Sequence, residues 1–208
     1  MASPKPLVLS ASRRPTRSAF KALATPLSEA EVKVVDADTG VALGAGELGE
    51  IMFRSANLMR GYHNRPEATA EVLDDQRWFR SGDAGYHDGS GRFYVVERLK
   101  DMIKCLDQQV APAEVETLLT EHPLVLEAAV VGIKHPDFGE APTAFVVLQP
   151  GAQDRVGEQE LLRLVADQAA SHKHLHGGVV FVDSIPKTDT GKYMRRKLRA
   201  QYMATLGK

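Results

Sequence analysis

The run Val95-Val-Glu-Arg-Leu-Lys-Asp-Met-Ile-Lys104 is where this chain changes its rhythm, and that change limits what the chain can fold into. Two apolar residues lead into a cluster of charges, and an apolar pair resumes behind it. This pattern fits a strand leaving one packed unit, a solvated crossing, and entry into a second unit. A charged surface turn inside one domain would look the same locally. The order of the segments on either side favours a hinge.

Upstream, the chain reads as mostly β. Glu31-Val-Lys-Val-Val35 alternates like a half-buried strand, and Asp36 to Gly40 is a turn. Glu47 to Ser55 reads as a second strand. Asn64-Arg65-Pro66-Glu67 opens a short helix to about Leu73, with Asn64 or Arg65 at the cap, Pro66 first and Glu67 near the positive end. Arg77 to Arg80 is strand-like, and Ser81-Gly82-Asp83 is expected to turn out of it. Tyr86 to Gly91 signals a hairpin whose second strand is Arg92 to Glu97.

Downstream, strands and helices interleave. Met102 to Val110 is expected to be a small hairpin turning near Leu106-Asp107. A helix starts at Pro112, presents Val115, Leu118 and Leu119, and ends at His122-Pro123. Strands follow at Leu126 to Ile133, Ala144 to Leu148 and Gly178 to Val182, with a helix from Glu158 to Ala169 between them. Gly191 is expected to start a last helix carrying Met194, Leu198, Tyr202 and Leu206. The fold class expected is α+β, a small sheet flanked by helices preceded by a β-rich subdomain. The boundaries expected are a leader at 1–29, a first unit at 30–97 and a second at 98–208.

A formal net charge of −1 gives no bulk attraction to nucleic acid or to an anionic membrane. No apolar run is long enough for a transmembrane segment. Cys105 is the only cysteine, so no intrachain disulfide can form. Residues 1–28 carry Lys5, Arg13, Arg14, Arg17 and Lys21 and no Asp or Glu. That composition suits a transit peptide, a disordered tail, or a translated stretch unrelated to the domain. Pro4, Pro6 and Pro15 oppose one long targeting helix. The location expected is cytoplasmic, with a mitochondrial one open through this leader, and the end Thr205-Leu-Gly-Lys208 is not a peroxisomal address.

Chemistry could sit in several places. Asp83, behind a flexible Gly, could accept two hydrogen bonds from a vicinal diol such as a ribose, or could satisfy its own turn. Arg98 could meet the same sugar or a phosphate, or be solvated. Thr188-Asp-Thr-Gly-Lys192 resembles half of a phosphate loop but is not one, since position 186 is Pro and Tyr193 follows Lys192. At a helix start Lys192 would be aimed, as developing phosphoryl charge requires. His172, His174 and His176 would share a face on a strand, yet no carboxylate or thiolate accompanies them. A solvated loop is expected there, with no metal site. Cys105 reads as a small buried apolar residue.

Taken in order, six segments resemble the C-terminal part of the adenylate-forming (AMP-binding) superfamily. This superfamily includes acyl-CoA synthetases, 4-coumarate–CoA ligases, beetle luciferases and peptide-synthetase adenylation domains. The segments are Gly46-Glu-Leu-Gly-Glu-Ile51, Gly61-Tyr-His-Asn-Arg-Pro-Glu-Ala-Thr69, Trp78-Phe-Arg-Ser-Gly-Asp83, Glu97-Arg-Leu-Lys-Asp-Met-Ile-Lys104, Val110-Ala-Pro-Ala-Glu114 and Pro186-Lys-Thr-Asp-Thr-Gly-Lys192. Gly177 to Asp183 and Val110 to Ala113 look nearest to luciferase-like acyl-CoA synthetases and 4-coumarate–CoA ligases.

The resemblance implies an AMP-binding-enzyme C-terminal domain behind the last β-rich subdomain of a large N-terminal domain. It implies ATP with Mg2+, a small-molecule carboxylic acid and coenzyme A as reactants, first forming an acyl-adenylate and then a thioester. Asp83 and Arg98 would bind the nucleotide, Lys100 would be the hinge, Lys192 and Lys104 would be catalytic in alternate poses, and Lys173 would touch coenzyme A. Two departures stand out. Asp107 occupies a place where Gly is usual, and Glu97 stands where Asp is usual. The phosphate loop, the acyl pocket and the adenine segment of the family have no counterpart in residues 1–29. The chain is therefore expected to be inactive alone, as a fragment, a truncated gene product or a partial duplicate. A non-catalytic nucleotide- or partner-binding module and a luciferase-like monooxygenase fragment are the alternatives.

Overall fold

The computed structural model describes residues 22–24 and 29–206. Most of the basic leader lies outside the described residues. A short part of it is described: Ala22–Ala24 (β1) pairs antiparallel with a later strand, so the leader is not wholly separate from the first unit.

The first sheet has five strands in the order β1-β5-β4-β3-β2, all antiparallel. Its strands are β2 (Ala30–Val35), β3 (Gly49–Ser55), β4 (Phe79–His87) and β5 (Phe93–Arg98), besides β1. Val35, Met52 and Trp78 form its small core, and Lys33 and Arg54 lie over the Trp78 ring. Helix α1 (Pro66–Val72) begins as expected behind Arg65, with Pro66 in its first turn and no side-chain cap.

One expectation fails here. Ser81-Gly82-Asp83 does not turn the chain, because β4 runs straight through it. Between the pairs Arg80↔Met52 and Ala84↔Glu50 the register shifts, so β4 bulges away from β3. Gly82 sits at φ 68°, which lets the extra residues be absorbed without ending the strand. A glycine read alone looks like a turn; the ladder on both sides keeps the chain extended.

A single 3-10 turn, Leu99–Asp101, leads from β5 into the second unit. There β6 (Ile103–Cys105) and β7 (Gln108–Val110) form the expected hairpin. Helix α2 (Pro112–Thr120) follows, then the long antiparallel pair β8 (Val125–His135) and β9 (Gly139–Leu148). β9 begins earlier than Ala144, because Gly139 to Thr143 continue the ladder with β8. Helix α3 (Glu158–Gln168), strand β10 (Val179–Phe181) and helix α4 (Arg195–Leu206) complete the unit. β10 joins the other edge of β9 in parallel, and β6 touches that edge at Cys105↔Gly139.

The near-continuous apolar run of β8 has a simple cause: both of its faces are covered. Ala128 and Val130 pack with Val115, Leu119, Leu161 and Val165 of α2 and α3. Ala129, Val131 and Ile133 pack with Phe145, Ile185 and Leu198 on the α4 side. Cys105 is fully buried in the first of these clusters, and burial pushes its thiol pKa up, which fits an inert packing residue.

The last helix starts at Arg195, not at Gly191. Thr188 to Tyr193 instead form a tight loop closed by the bridge Lys187↔Tyr193. Met194 lies outside the helix and is exposed, whereas Leu198 is buried.

Candidate nucleotide site and interlobe centre

Asp83 and Arg98 are brought together by strand pairing. They are cross-strand partners of β4 and β5, and Arg98 Nε lies 3.0 Å from Asp83 Oδ1. The bulge that presents Asp83 is fully wired. The Ser81 hydroxyl donates to the Ile51 carbonyl at 2.6 Å and accepts from the Asp83 N–H at 3.0 Å. The Gly82 N–H donates to Glu50 Oε1 at 3.2 Å, and Arg98 donates to the Ser81 carbonyl at 3.0 Å. Glu50 is itself 4% exposed and is held by Arg80 at 2.9 Å. Groups freed by the bulge thus find partners, which fixes the backbone that carries the carboxylate. No hydrogen bond is donated to the Asp83 carboxylate in the side-chain network of the described residues, which leaves acceptor capacity for a diol. Sequence reading singled out Asp83 and Arg98 but missed Glu50 and Ser81, whose roles depend on a register shift that spacing does not reveal.

Lys100 lies in the 3-10 turn. Lys100 and Lys104 border one cleft of about 650 Å³, along with Leu99, Met102, Asp107 and Glu140. Lys104 is exposed, and its backbone N–H donates to Glu140 Oε2 at 3.0 Å.

Lys192 is exposed in the 188–193 loop, three residues before α4. Its surroundings are not the helix N-terminus that the sequence suggested. Its own N–H donates to Thr188 Oγ1 at 3.1 Å, and its carbonyl accepts from the Thr188 N–H at 2.9 Å. The backbone that carries this side chain is therefore fixed by a closed loop.

Lys173 is not free. Its ammonium sits 2.7 Å from both oxygens of Glu114, at the start of α2, with each side chain about one-fifth exposed. The neighbouring histidines are packed more closely than a solvated loop. His176 stacks on Phe138 at 4.1 Å and its Nε2 lies 2.8 Å from the Ser171 carbonyl oxygen. Burial, with the Lys173 charge, holds the His172 pKa below its ordinary value. No group of three or more His, Cys, Asp or Glu side chains among the described residues is placed to hold a metal ion.

A further cluster was not foreseen. Glu116 lies on the buried face of α2 between Val115 and Leu119, accepts from the Val130 N–H at 2.8 Å, and meets Arg195 at 2.7 and 2.9 Å. Burial raises the Glu116 pKa, against the pull of Arg195. The signal was available, since helical spacing from Val115 and Leu119 puts Glu116 on their face. The unit junction beside it is apolar, with Ala84, Met102 and Ala111 buried against Val96 and Leu99.

Against known proteins, residues 114–192 match the AMP-binding enzyme C-terminal domain. The chain is 44% identical over 168 residues to probable 4-coumarate–CoA ligase 2 of Dictyostelium discoideum, covering 81% of this chain and 30% of that protein. It is 47% identical over 169 residues to luciferin 4-monooxygenase of Photinus pyralis, again covering 81% of this chain and 30% of the relative. Among solved structures, ATP-bound MatB of Rhodopseudomonas palustris aligns at TM-score 0.80 and 34% identity, over 87% of this chain and 35% of MatB. Apo MatB aligns at 0.63, with the same identity, over 87% of this chain and 36% of MatB. The chain is thus similar over most of its length to adenylate-forming enzymes, and its second unit carries the match to the AMP-binding enzyme C-terminal domain. It spans about 30% of the length of the curated relatives named here.

Proposed function

We propose that this chain supplies the nucleotide-gripping edge and the mobile catalytic lobe of a carboxylic acid–CoA ligase. One observation carries the reading: Asp83, on a wired bulge of β4, lies 3.0 Å from Arg98 of β5. That bulge stands one short turn away from the unit that bears Lys104 and Lys192.

In this reading the Asp83 carboxylate accepts from the ribose hydroxyls of ATP, and Arg98 holds that carboxylate in place. Lys192, presented by its closed loop, offsets the negative charge that builds as a substrate carboxylate attacks the α-phosphate. Lys100, in the turn, absorbs the backbone change that swings the second unit. Lys104 then takes the place of Lys192 while the coenzyme A thiol attacks the acyl carbon of the acyl-adenylate, forming the thioester and releasing AMP. Lys173 reaches coenzyme A only by leaving Glu114, so the ligand must compete with a formed ion pair. Among the described residues no group of three or more His, Cys, Asp or Glu side chains gathers to hold Mg2+, and no step here passes through it.

Titration of the chain with AMP, followed by amide NMR, tests the grip. AMP is expected to shift the signals of Ser81 to Ala84 and Arg98, and Asp83→Ala is expected to abolish those shifts. The 2′,3′-dideoxy analogue should leave these signals where they stand in the nucleotide-free chain. Equal shifts with the two nucleotides would remove the diol from the reading.

A further inference from the structure

Arg195 opens α4, and its guanidinium meets carboxylates from both units. Glu116, of the second unit, lies at 2.7 and 2.9 Å; Glu97, the penultimate residue of β5 in the first, lies at 3.7 Å. The three side chains are only 19%, 11% and 13% exposed, so the cluster is largely shielded from water and salt. Among the described residues, Glu97–Arg195 is the one ion pair that joins the two units.

The placement of the pair along the chain matters. Glu97 immediately precedes Arg98, and its cross-strand partner Ala84 immediately follows Asp83. Arg195 follows Lys192 by three residues. The cluster therefore connects the strand pair of the candidate nucleotide grip to the loop of the candidate catalytic lysine. We propose that Arg195 is a positioning residue, a clip that fastens the second unit to the first through Glu97 and so fixes the Lys192 loop relative to Asp83 and Arg98.

The chemistry of the cluster makes such a clip releasable. One guanidinium serves two carboxylates, and the bond to Glu116 is the shorter and doubled one. Arg195 Nε is buried with no hydrogen-bond partner, a cost that persists while the arrangement lasts. Withdrawal of Glu97 leaves Arg195 paired with Glu116, so opening strands no charge within the second unit. Apo MatB and ATP-bound MatB match this chain unequally at the same identity, which is a difference in shape, not in sequence. The consequence for Lys192 rests on the ligase reading; the clip itself does not.

Pulsed dipolar EPR on the whole chain tests the clip without any turnover. Spin labels go on Glu67→Cys in α1 and Asp167→Cys in α3, both exposed, while Cys105 is buried and escapes labelling. A single narrow interlabel distance is expected in the labelled chain. It should be lost in Arg195→Met and equally in Glu97→Gln, with the double variant no broader than either. Arg199→Met is the control: Arg199 lies one turn along α4 and pairs with Glu140 of its own unit at 3.6 Å, so the narrow distance should survive. Glu97→Gln leaves the Arg195–Glu116 pair intact, so it remains readable even where Arg195→Met fails to fold. A narrow distance retained in Glu97→Gln, or a broad one already present in the labelled parent, would overturn the proposal. Neither result depends on nucleotide, so failure of the ligase reading would show separately.

Discussion

Asp88 illustrates how much a single carboxylate can organise. Its Oδ1 accepts from the Ser90 N–H at 2.9 Å, the Ser90 hydroxyl at 2.7 Å and the Arg92 N–H at 3.3 Å, while Oδ2 accepts from the Tyr94 hydroxyl at 3.2 Å. The Ser90 hydrogen bonds lead in lowering its pKa from 3.8 to about 2. The folded value lies below the unfolded one, so this carboxylate contributes stability above the ordinary Asp range. The contribution is lost as pH falls from 3.8 through about 2. A carboxyl-carbon NMR titration should place its midpoint near that lower value, and Ser90→Ala should move it back up. Glu116 has the opposite sign: with its pKa raised by burial, its share is complete in acid and is lost as pH rises through the raised value. Residue identities such as Asp83 and Arg98 were legible in the sequence because their neighbours form recognisable runs. Their contacts were not, because the bulge that presents Asp83 arises from pairing with β3 and its meeting with Arg98 from pairing with β5.

At the scale of elements, hydrophobic pattern located nearly every strand and helix, and two of the misses share a cause. Gly82 and Gly191 both have positive φ, and glycines of that kind read as breaks. Gly82 proved to be a bulge inside β4, and Gly191 a loop residue four positions ahead of α4. The β6–β7 hairpin was anticipated, yet its two-residue turn uses Leu106 at φ 51° and Asp107 at φ 58°. Such a turn favours Asn-Gly, and a bulky residue there carries strain. Leu106→Asn with Asp107→Gly is expected to stabilise the chain by about 1–2 kcal/mol, seen as a rise in thermal midpoint. An unchanged or lower midpoint would mean that the exposed Leu106 side chain contributes packing that offsets the strain. In the ligase reading the same double variant should also favour the thiol step, since it removes a side chain and a charge beside Lys104.

For the molecule as a whole, the structure shows two sheets joined by one 3-10 turn, and hinge motion at that turn is part of the proposal. What the sequence could not foretell was how the units face each other, because Glu97, Glu116 and Arg195 are far apart in the chain and only the fold assembles them. The central claim is that Lys192 serves adenylation and Lys104 the thiol step. The most direct measurement joins residues 30–208 to the preceding portion of a 4-coumarate–CoA ligase relative and follows ATP–pyrophosphate exchange with that ligase's acid. Exchange is expected, falling by roughly 10²-fold or more in Lys192→Ala, while Lys104→Ala keeps exchange and loses thioester formation. A folded chimera without exchange, or exchange undiminished in Lys192→Ala, would contradict the account.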